Sequence, residues 1–185
     1  GMTNQWHFYT VTNTENYTNA AFITFLPPEL AVPRIAVRDD EAQNGTLLDA
    51  DIDLYVSTDP GLLTLNPAAI AAADKSRNRG GTEFVAYSNA APGAVYYVGV
   101  KSEDQMAAEY AFFGGFSLDP FSSTDENGNV LVNGFPIPSV IPDGTPDRPG
   151  GAITFGLALQ PITVRSLIVT NSIYLQNAGD IVSTL

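Results

Sequence analysis

The chain has 185 residues, of which 44% are hydrophobic and 15% are charged, so it holds enough apolar side chains for a buried core and is not a disordered polymer. Its 20 acidic residues outweigh 8 basic ones, and a net charge of −12 argues against binding to a nucleic-acid backbone or an anionic membrane surface. The absence of cysteine excludes disulfides, thiolate catalysis and cysteine-ligated metal sites.

Short β-strands separated by turn residues are predicted in the first part of the chain, at residues 5–11, 21–26, 34–37 and 49–57. The last of these has the clearest alternation, with apolar side chains on one face and mainly acidic side chains on the other. The apolar face holds Ala50, Ile52, Leu54 and Val56, and the opposite face holds Asp49, Asp51, Asp53 and Tyr55. This period of two predicts a half-buried strand.

One short helix is predicted over residues 67–74, because Asn66 is a good N-cap, Pro67 suits the first helical position and the alanines that follow have high helix propensity. A basic, glycine-rich loop is expected at residues 75–81. Three further strands follow at residues 82–88, 94–101 and 109–117. The aromatic and β-branched residues expected to share one core are Tyr96, Val98, Val100, Phe112 and Phe116.

The composition changes after residue 117. Residues 118–151 are rich in proline and glycine and are predicted to be a linker or a long ordered loop, with a hairpin turn at residues 125–129. Strand patterns return at residues 152–159, 162–173 and 180–185. These either complete the sandwich of residues 3–117 or begin a second module. The sequence therefore predicts an all-β, jelly-roll-like antiparallel β-sandwich with one short helix.

The sequence contains few of the residues and motifs that catalysis requires. His7 is the only histidine and lies in a predicted strand, and no G-x-S-x-G motif is present. A Ser-His-Asp triad would have to use His7 as its base. Paired-carboxylate hydrolysis needs two specific acids, and the sequence favours no particular pair. We therefore predict no catalytic residue and no enzymatic activity.

An acidic cluster is the strongest candidate for a binding site. Asp39 and Asp40 lie shortly before Asp49, Asp51 and Asp53, which alternate on one predicted strand face. Calcium prefers oxygen ligands of this kind, so the five aspartates are the predicted metal ligands and calcium the possible cofactor. The same pattern is also typical of a solvated strand face, or of charges that keep an edge strand from pairing with other chains.

Aromatic residues on the predicted strands suggest a second kind of site. Six rings could form a platform for stacking against sugars, although such rings usually pack in a core. They are Trp6, Tyr9, Tyr17, Tyr55, Tyr87 and Tyr97. An exposed planar row would favour glycan binding, whereas buried rings would favour an accessory structural domain.

Four motifs occur in the order and spacing of a known family. They are DIDLYV at residues 51–56, GGTEFVAYS at 80–88, PGAVYYVGV at 92–100 and EYAFF at 109–113. Residues 5–117 thus resemble the bacterial pre-peptidase C-terminal domain family, apart from an alanine-rich insertion near residues 67–74. The resemblance implies a non-catalytic β-sandwich that is attached to secreted peptidases and other surface proteins and assists targeting or is removed after export.

The C-terminal part carries a weaker resemblance. IPDGTPDRPGG at residues 141–151 and GDIVSTL at 179–185 make residues 136–185 similar to the start of a proprotein-convertase P-type domain, which is another accessory sandwich of exported proteins.

The function we expect is therefore that of an accessory β-sandwich module in a larger secreted or cell-surface bacterial protein, assisting folding, targeting or partner contact. The alternative is a calcium-ordered carbohydrate- or matrix-binding module. The expected partners are other domains of the parent protein, with surface polysaccharide or protein also possible. Neither a secretory leader nor an apolar run of about 18 residues occurs in the sequence, so no membrane insertion is expected.

Overall fold

The computed structural model describes residues 6–25, 51–78, 81–103, 110–145, 147, 150–175 and 181–182. Strands dominate them, in the order β1 (Trp6–Thr12), β2 (Asn19–Phe25), β3 (Ile52–Ser57), β4 (Asp74–Ser76), β5 (Glu83–Tyr87), β6 (Val95–Ser102), β7 (Ala111–Ser117), β8 (Ser122–Thr124), β9 (Val130–Val132), β10 (Gly134–Phe135) and β11 (Phe155–Gly156). A 3-10 helix (Pro60–Thr64) and the helix α1 (Pro67–Ala72) lie between β3 and β4. No helix of the described part is long and apolar enough to span a bilayer.

Two antiparallel sheets form the body of the protein. One has four strands in the order β1-β6-β3-β4, and the other has three in the order β5-β2-β7. Phe22 of β2 is fully buried between the sheets, against Leu54 of β3 and Val98 of β6. Phe112 and Phe116 of β7 pack against the same core, as predicted. The predicted all-β antiparallel sandwich is confirmed.

Both outer faces of the sandwich are covered as well. The 3-10 helix and the residue after α1 place Leu62 and Ala73 against Tyr55 on the outer face of the four-stranded sheet. On the outer face of the three-stranded sheet, Phe121 and Phe135 pack against Ile23. The central strands are therefore buried on both sides, which extends the apolar core beyond the space between the two sheets.

The predicted short helix is confirmed, with a shorter extent. The Asn66 side chain accepts a hydrogen bond of 2.9 Å from the backbone N–H of Ala68, and Pro67 occupies the first turn. The helix ends at Ala72. The prediction of a loop from residue 75 onward is wrong for Lys75 and Ser76, because β4 pairs antiparallel with β3 there.

Part of the chain after residue 117 packs on the sandwich, because Phe121, Phe135 and Leu157 share one buried cluster with Ala21 and Ile23. β8 and β9 form a hairpin, and β10 pairs with β11. At the predicted hairpin turn, Asp125 Oδ1 accepts hydrogen bonds from the backbone N–H groups of Asn127 at 2.9 Å and Asn129 at 2.8 Å. Gly128 has a φ of 81°, which a glycine adopts without steric cost. The turn prediction is confirmed.

The later strand predictions are largely wrong. Of residues 152–159, β11 alone is a strand, and residues 162–173 have no regular secondary structure. Of the strand predicted at residues 180–185, only 181–182 are described, and these two are not in a strand. The strand predicted at residues 34–37 lies outside the described residues. The division of the chain into domains stays a prediction.

Candidate functional site

The predicted acidic cluster is described in part. Asp39, Asp40 and Asp49 lie outside the described residues. Asp51 directly precedes β3, and Asp53 lies within that strand. The face of β3 that carries Asp53 and Tyr55 is buried, since these side chains are 4% and 5% exposed. The prediction of a half-buried strand is therefore wrong, because the 3-10 helix and α1 cover the second face.

Asp53 belongs to a buried polar cluster at the outer face of the four-stranded sheet. The Tyr55 hydroxyl donates a hydrogen bond of 3.2 Å to Asp53 Oδ2. Burial raises the pKa of Asp53 to about 7, and a hydrogen bond to Glu103 and the charge of Glu103 contribute to the increase. Lys101 forms an ion pair with Glu103 and lowers the pKa of that carboxyl by hydrogen bonding. Below a pH of about 7 Asp53 thus keeps its proton, while Glu103 carries the negative charge.

Two of the explanations considered for the acidic pattern do not apply to Asp53. It does not lie on a solvated strand face, and it does not protect an edge strand from pairing. Asp53 is buried, and β3 is not an edge strand, since it pairs with both β6 and β4. The arrangement also weakens the predicted calcium site at Asp53. A cation there would have to displace a proton and would compete with Lys101 for the same carboxylates. Among the described residues, no three carboxylate or histidine side chains form a group that could hold a metal ion.

The aromatic rings beside this cluster pack on one another. Across the sheet, Phe8 of β1 lies opposite Gly99 of β6, which lies opposite Tyr55 of β3. The Trp6 ring covers Gly99 so closely that a Cβ at this position would lie 2.8 Å from it. Trp6 is stacked on Phe8 at a centroid distance of 5.8 Å, and Lys101 Nζ lies 5.9 Å from the Trp6 ring centroid. A larger side chain at position 99 would therefore clash with the Trp6 ring.

The six rings predicted as a sugar platform do not form an exposed row. Tyr55 is buried, and the other five are half-buried. Tyr9 and Tyr87 pack against the main core, and Tyr17 is stacked on Phe116. The rings therefore do not provide the exposed planar row that was expected of a glycan-binding surface.

His7 is exposed and interacts with tyrosines. Its Nδ1 lies 2.8 Å from the Tyr110 hydroxyl, which lies 2.9 Å from the Tyr9 hydroxyl. Burial raises the pKa of Tyr110, so this hydroxyl stays protonated and can donate to the ring. The observed partner of His7 is therefore a phenol and not the serine or carboxylate of a hydrolytic triad.

A buried carboxylate that the sequence patterns did not single out lies at the start of β5. Glu83, the first residue of β5, is 1% exposed. The Ser76 hydroxyl donates to its Oε2, and the Asn78 side-chain amide donates to the same oxygen at 3.2 Å. Its other oxygen, Oε1, is buried and accepts no hydrogen bond from the described residues. Burial raises the pKa of Glu83, and the charge of Asp51 contributes to the increase.

The sequence did contain a signal for Glu83. In a strand, residues two apart share a face, so Glu83 is in phase with Val85, and Val85 lies in the main core. An acidic residue in phase with core residues predicts a buried carboxyl, and buried carboxyls need partners.

We compared the chain with known proteins in three ways. A scan against protein-family models and searches of curated proteins and of solved structures found no match for this chain.

Proposed function

We propose that this chain is a non-catalytic accessory β-sandwich module of a larger secreted or cell-surface bacterial protein, which contacts other domains of that protein and assists its folding or targeting. The observation that carries the proposal is an apolar segment at residues 162–175, which follows the sandwich in the chain and is exposed to solvent. Every described residue from 161 to 175 is exposed.

The exposed segment has the composition of a buried strand. Val164 and Leu167 are each 62% exposed, Ile168 is 89% exposed and Tyr174 is 98% exposed. Arg165 is the one charged residue between positions 152 and 175. Natural edge strands usually carry charges that prevent pairing with other chains, and a contiguous apolar surface of this kind marks an interaction site. An apolar segment that pairs with no strand in the described part of the chain suits addition to the sheet of a neighbouring domain.

The family resemblance supports the same proposal. Its motifs coincide with β3, β5 and β6, which form much of the core, so the resemblance rests on residues that build the sandwich. A domain of this type in a secreted parent protein would find its partner in the same polypeptide. The alternative, a calcium-ordered carbohydrate- or matrix-binding module, has less support because the candidate rings are buried or half-buried.

Hydrogen exchange on the 185-residue chain and on the parent protein that contains it tests the proposed contact. In the chain alone, amides 162–175 should exchange fast and the amides of β2 slowly, because β2 is paired on both edges. In the parent protein, amides 162–175 should become protected. Equally fast exchange in both proteins would contradict the proposal.

The proposal that this domain takes no part in catalysis can be tested separately in the parent protein. His7→Ala and Glu103→Gln should leave the turnover rate of any activity of the parent unchanged, because both side chains lie in the accessory sandwich. A loss of turnover without unfolding would place catalysis in this domain.

A further inference from the structure

The same sequence pattern, Ser-x-Asp-Pro, occurs twice in the chain, at residues 57–60 and 117–120. A peptide bond between aspartate and proline is unusually easy to hydrolyse in mild acid. The side-chain carboxylate can reach its own carbonyl carbon, and the tertiary nitrogen of proline accepts a proton readily as it leaves. In both copies the serine hydroxyl oxygen accepts a hydrogen bond of 3.0 Å from the backbone N–H of the aspartate. The other contacts of the two aspartates differ.

The carboxylate of Asp59 is engaged by the fold. Asp59 is the N-cap of the 3-10 helix, and its Oδ1 accepts a hydrogen bond of 2.8 Å from the backbone N–H of Gly61. The Asp59 carbonyl oxygen accepts a second hydrogen bond, of 3.2 Å, from the backbone N–H of Leu62, whose side chain is fully buried. An attack of this carboxylate on its own carbonyl would have to break the cap, so the fold protects the Asp59–Pro60 bond.

The Asp119–Pro120 bond is in a different position, between the end of β7 and the start of β8. Both residues are exposed, and the hydrogen bonds described for Asp119 are made by its backbone. The Ser117 hydroxyl donates to the Asp119 carbonyl oxygen at 2.9 Å. This oxygen gains negative charge when the carbonyl carbon is attacked, and a donor already in place stabilises that charge. The bond is held between two anchored points, since Ser117 ends β7 and Phe121 is 1% exposed.

We propose that the chain cleaves itself between Asp119 and Pro120 in mildly acidic surroundings. A carboxylate oxygen of Asp119 attacks the carbonyl carbon of the same residue, while Ser117 polarises the carbonyl. The bond from that carbon to the Pro120 nitrogen breaks, and the nitrogen takes a proton from solvent and becomes the amino group of the second fragment. Water then opens the cyclic anhydride, which restores the Asp119 side chain and leaves a C-terminal carboxyl. The reaction consumes one water molecule and occurs once per chain.

The two products are expected to stay together. Phe121, Phe135 and Leu157 belong to the second fragment and are buried in one cluster with Ala21 and Ile23 of β2. Cleavage would therefore leave residues 162–175 joined to the sandwich by noncovalent contacts alone. The inference concerns a covalent step within this chain, so it does not depend on the proposed function.

Intact-mass spectrometry of the 185-residue chain tests the proposal. The chain is incubated in neutral buffer and in the most acidic acetate buffer in which its circular dichroism spectrum is that of the neutral protein. The acidic sample should yield residues 1–119 and 120–185, with masses that add up to the intact chain plus one water molecule. Cleavage at Asp119–Pro120 should be at least about ten times faster than at Asp59–Pro60, because the second reaction must also break a helix cap.

Variants separate the roles of the side chains. Asp119→Asn removes the nucleophile from an exposed position and should abolish the two fragments, whereas Asp59→Asn is the matched control and should leave their rate unchanged. Ser117→Ala should slow the cleavage by about tenfold, because the carbonyl oxygen loses its donor. In guanidinium chloride at the same pH the two Asp-Pro bonds should be cleaved at similar rates, because they share one sequence pattern and the cap is lost.

Three results would overturn the proposal. They are the absence of both fragments from the folded chain in acid, equal cleavage of the two Asp-Pro bonds in the folded chain, and unchanged fragments from Asp119→Asn. An unchanged rate in Ser117→Ala would remove the assigned role of its hydroxyl.

Discussion

Strand β2 and the segment of residues 162–175 have similar compositions and opposite surroundings. Both are rich in apolar residues and carry almost no charge. In β2, every residue from Asn19 to Thr24 is buried, because β5 and β7 pair with its two edges and apolar side chains cover both faces. Residues 162–175 are exposed throughout and pair with no strand that the structure describes. An apolar, strand-forming sequence thus specifies which conformation a segment can adopt, but a strand forms only where a partner edge is available.

The largest expected effect comes from removing a buried side chain of β2. Phe22→Ala removes a fully buried ring that contacts both sheets and should lower the free energy of unfolding by about 3–5 kcal/mol. Urea denaturation followed by tryptophan fluorescence or circular dichroism measures the change. Phe84→Ala on β5 is the control, because Phe84 is 43% exposed and should cost far less. Similar losses for the two variants would show that β2 is not the centre of the core.

The same comparison shows how much of the fold the sequence could predict. β1, β2, β5, β6 and β7 were found within a few residues, because their alternation is a local property. β4 was missed because its three residues have no pattern of their own and become a strand by pairing with β3. The strand predicted at residues 162–173 failed for the converse reason, since its pattern is strong and no described strand pairs with it.

The candidate sites were harder to predict, because burial of a polar face depends on distant parts of the chain. Asp53 and Tyr55 have the pattern of a solvent-facing row, and Leu62 and Ala73 cover that row only after the intervening chain folds back. Glu83 carried a local signal through its phase with Val85. The missing partner on its Oε1, however, follows from where β4 and β5 meet, which local sequence does not encode.

An effect of intermediate size is expected from the buried Asp53, in the dependence of stability on pH. Its pKa is about 7 in the folded state against 3.8 for a free side chain, so the folded state binds more protons between these values. The contribution of Asp53 to stability should therefore be complete at low pH, fall as pH rises from about 4 to 7, and stay low above that. Asp53→Asn keeps an uncharged, hydrogen-bonding side chain, so its melting temperature relative to the wild type should rise by several degrees over this range.

Glu83 titrates in both proteins, whereas Glu103 is hydrogen-bonded to Asp53, so the difference between the two melting curves reports on the pair of Asp53 and Glu103. A wild type and an Asp53→Asn variant with parallel pH profiles would mean that Asp53 is ionised in the fold. In that case the cluster with Tyr55 and Glu103 would have to be held by charge pairing with Lys101 instead.

The smallest effect on stability is expected in the exposed segment of residues 162–175. Ile168→Ser replaces an apolar side chain that is 89% exposed and should change the unfolding free energy of the 185-residue chain by no more than about 0.5 kcal/mol. In the parent protein the same substitution should reduce the protection of amides 162–175, because in the proposed function this side chain contacts a second domain. A loss of about 2 kcal/mol or more (the value for a buried aliphatic side chain) in the chain alone would instead show that residues 162–175 pack on the sandwich in solution, and the difference between β2 and this segment would disappear.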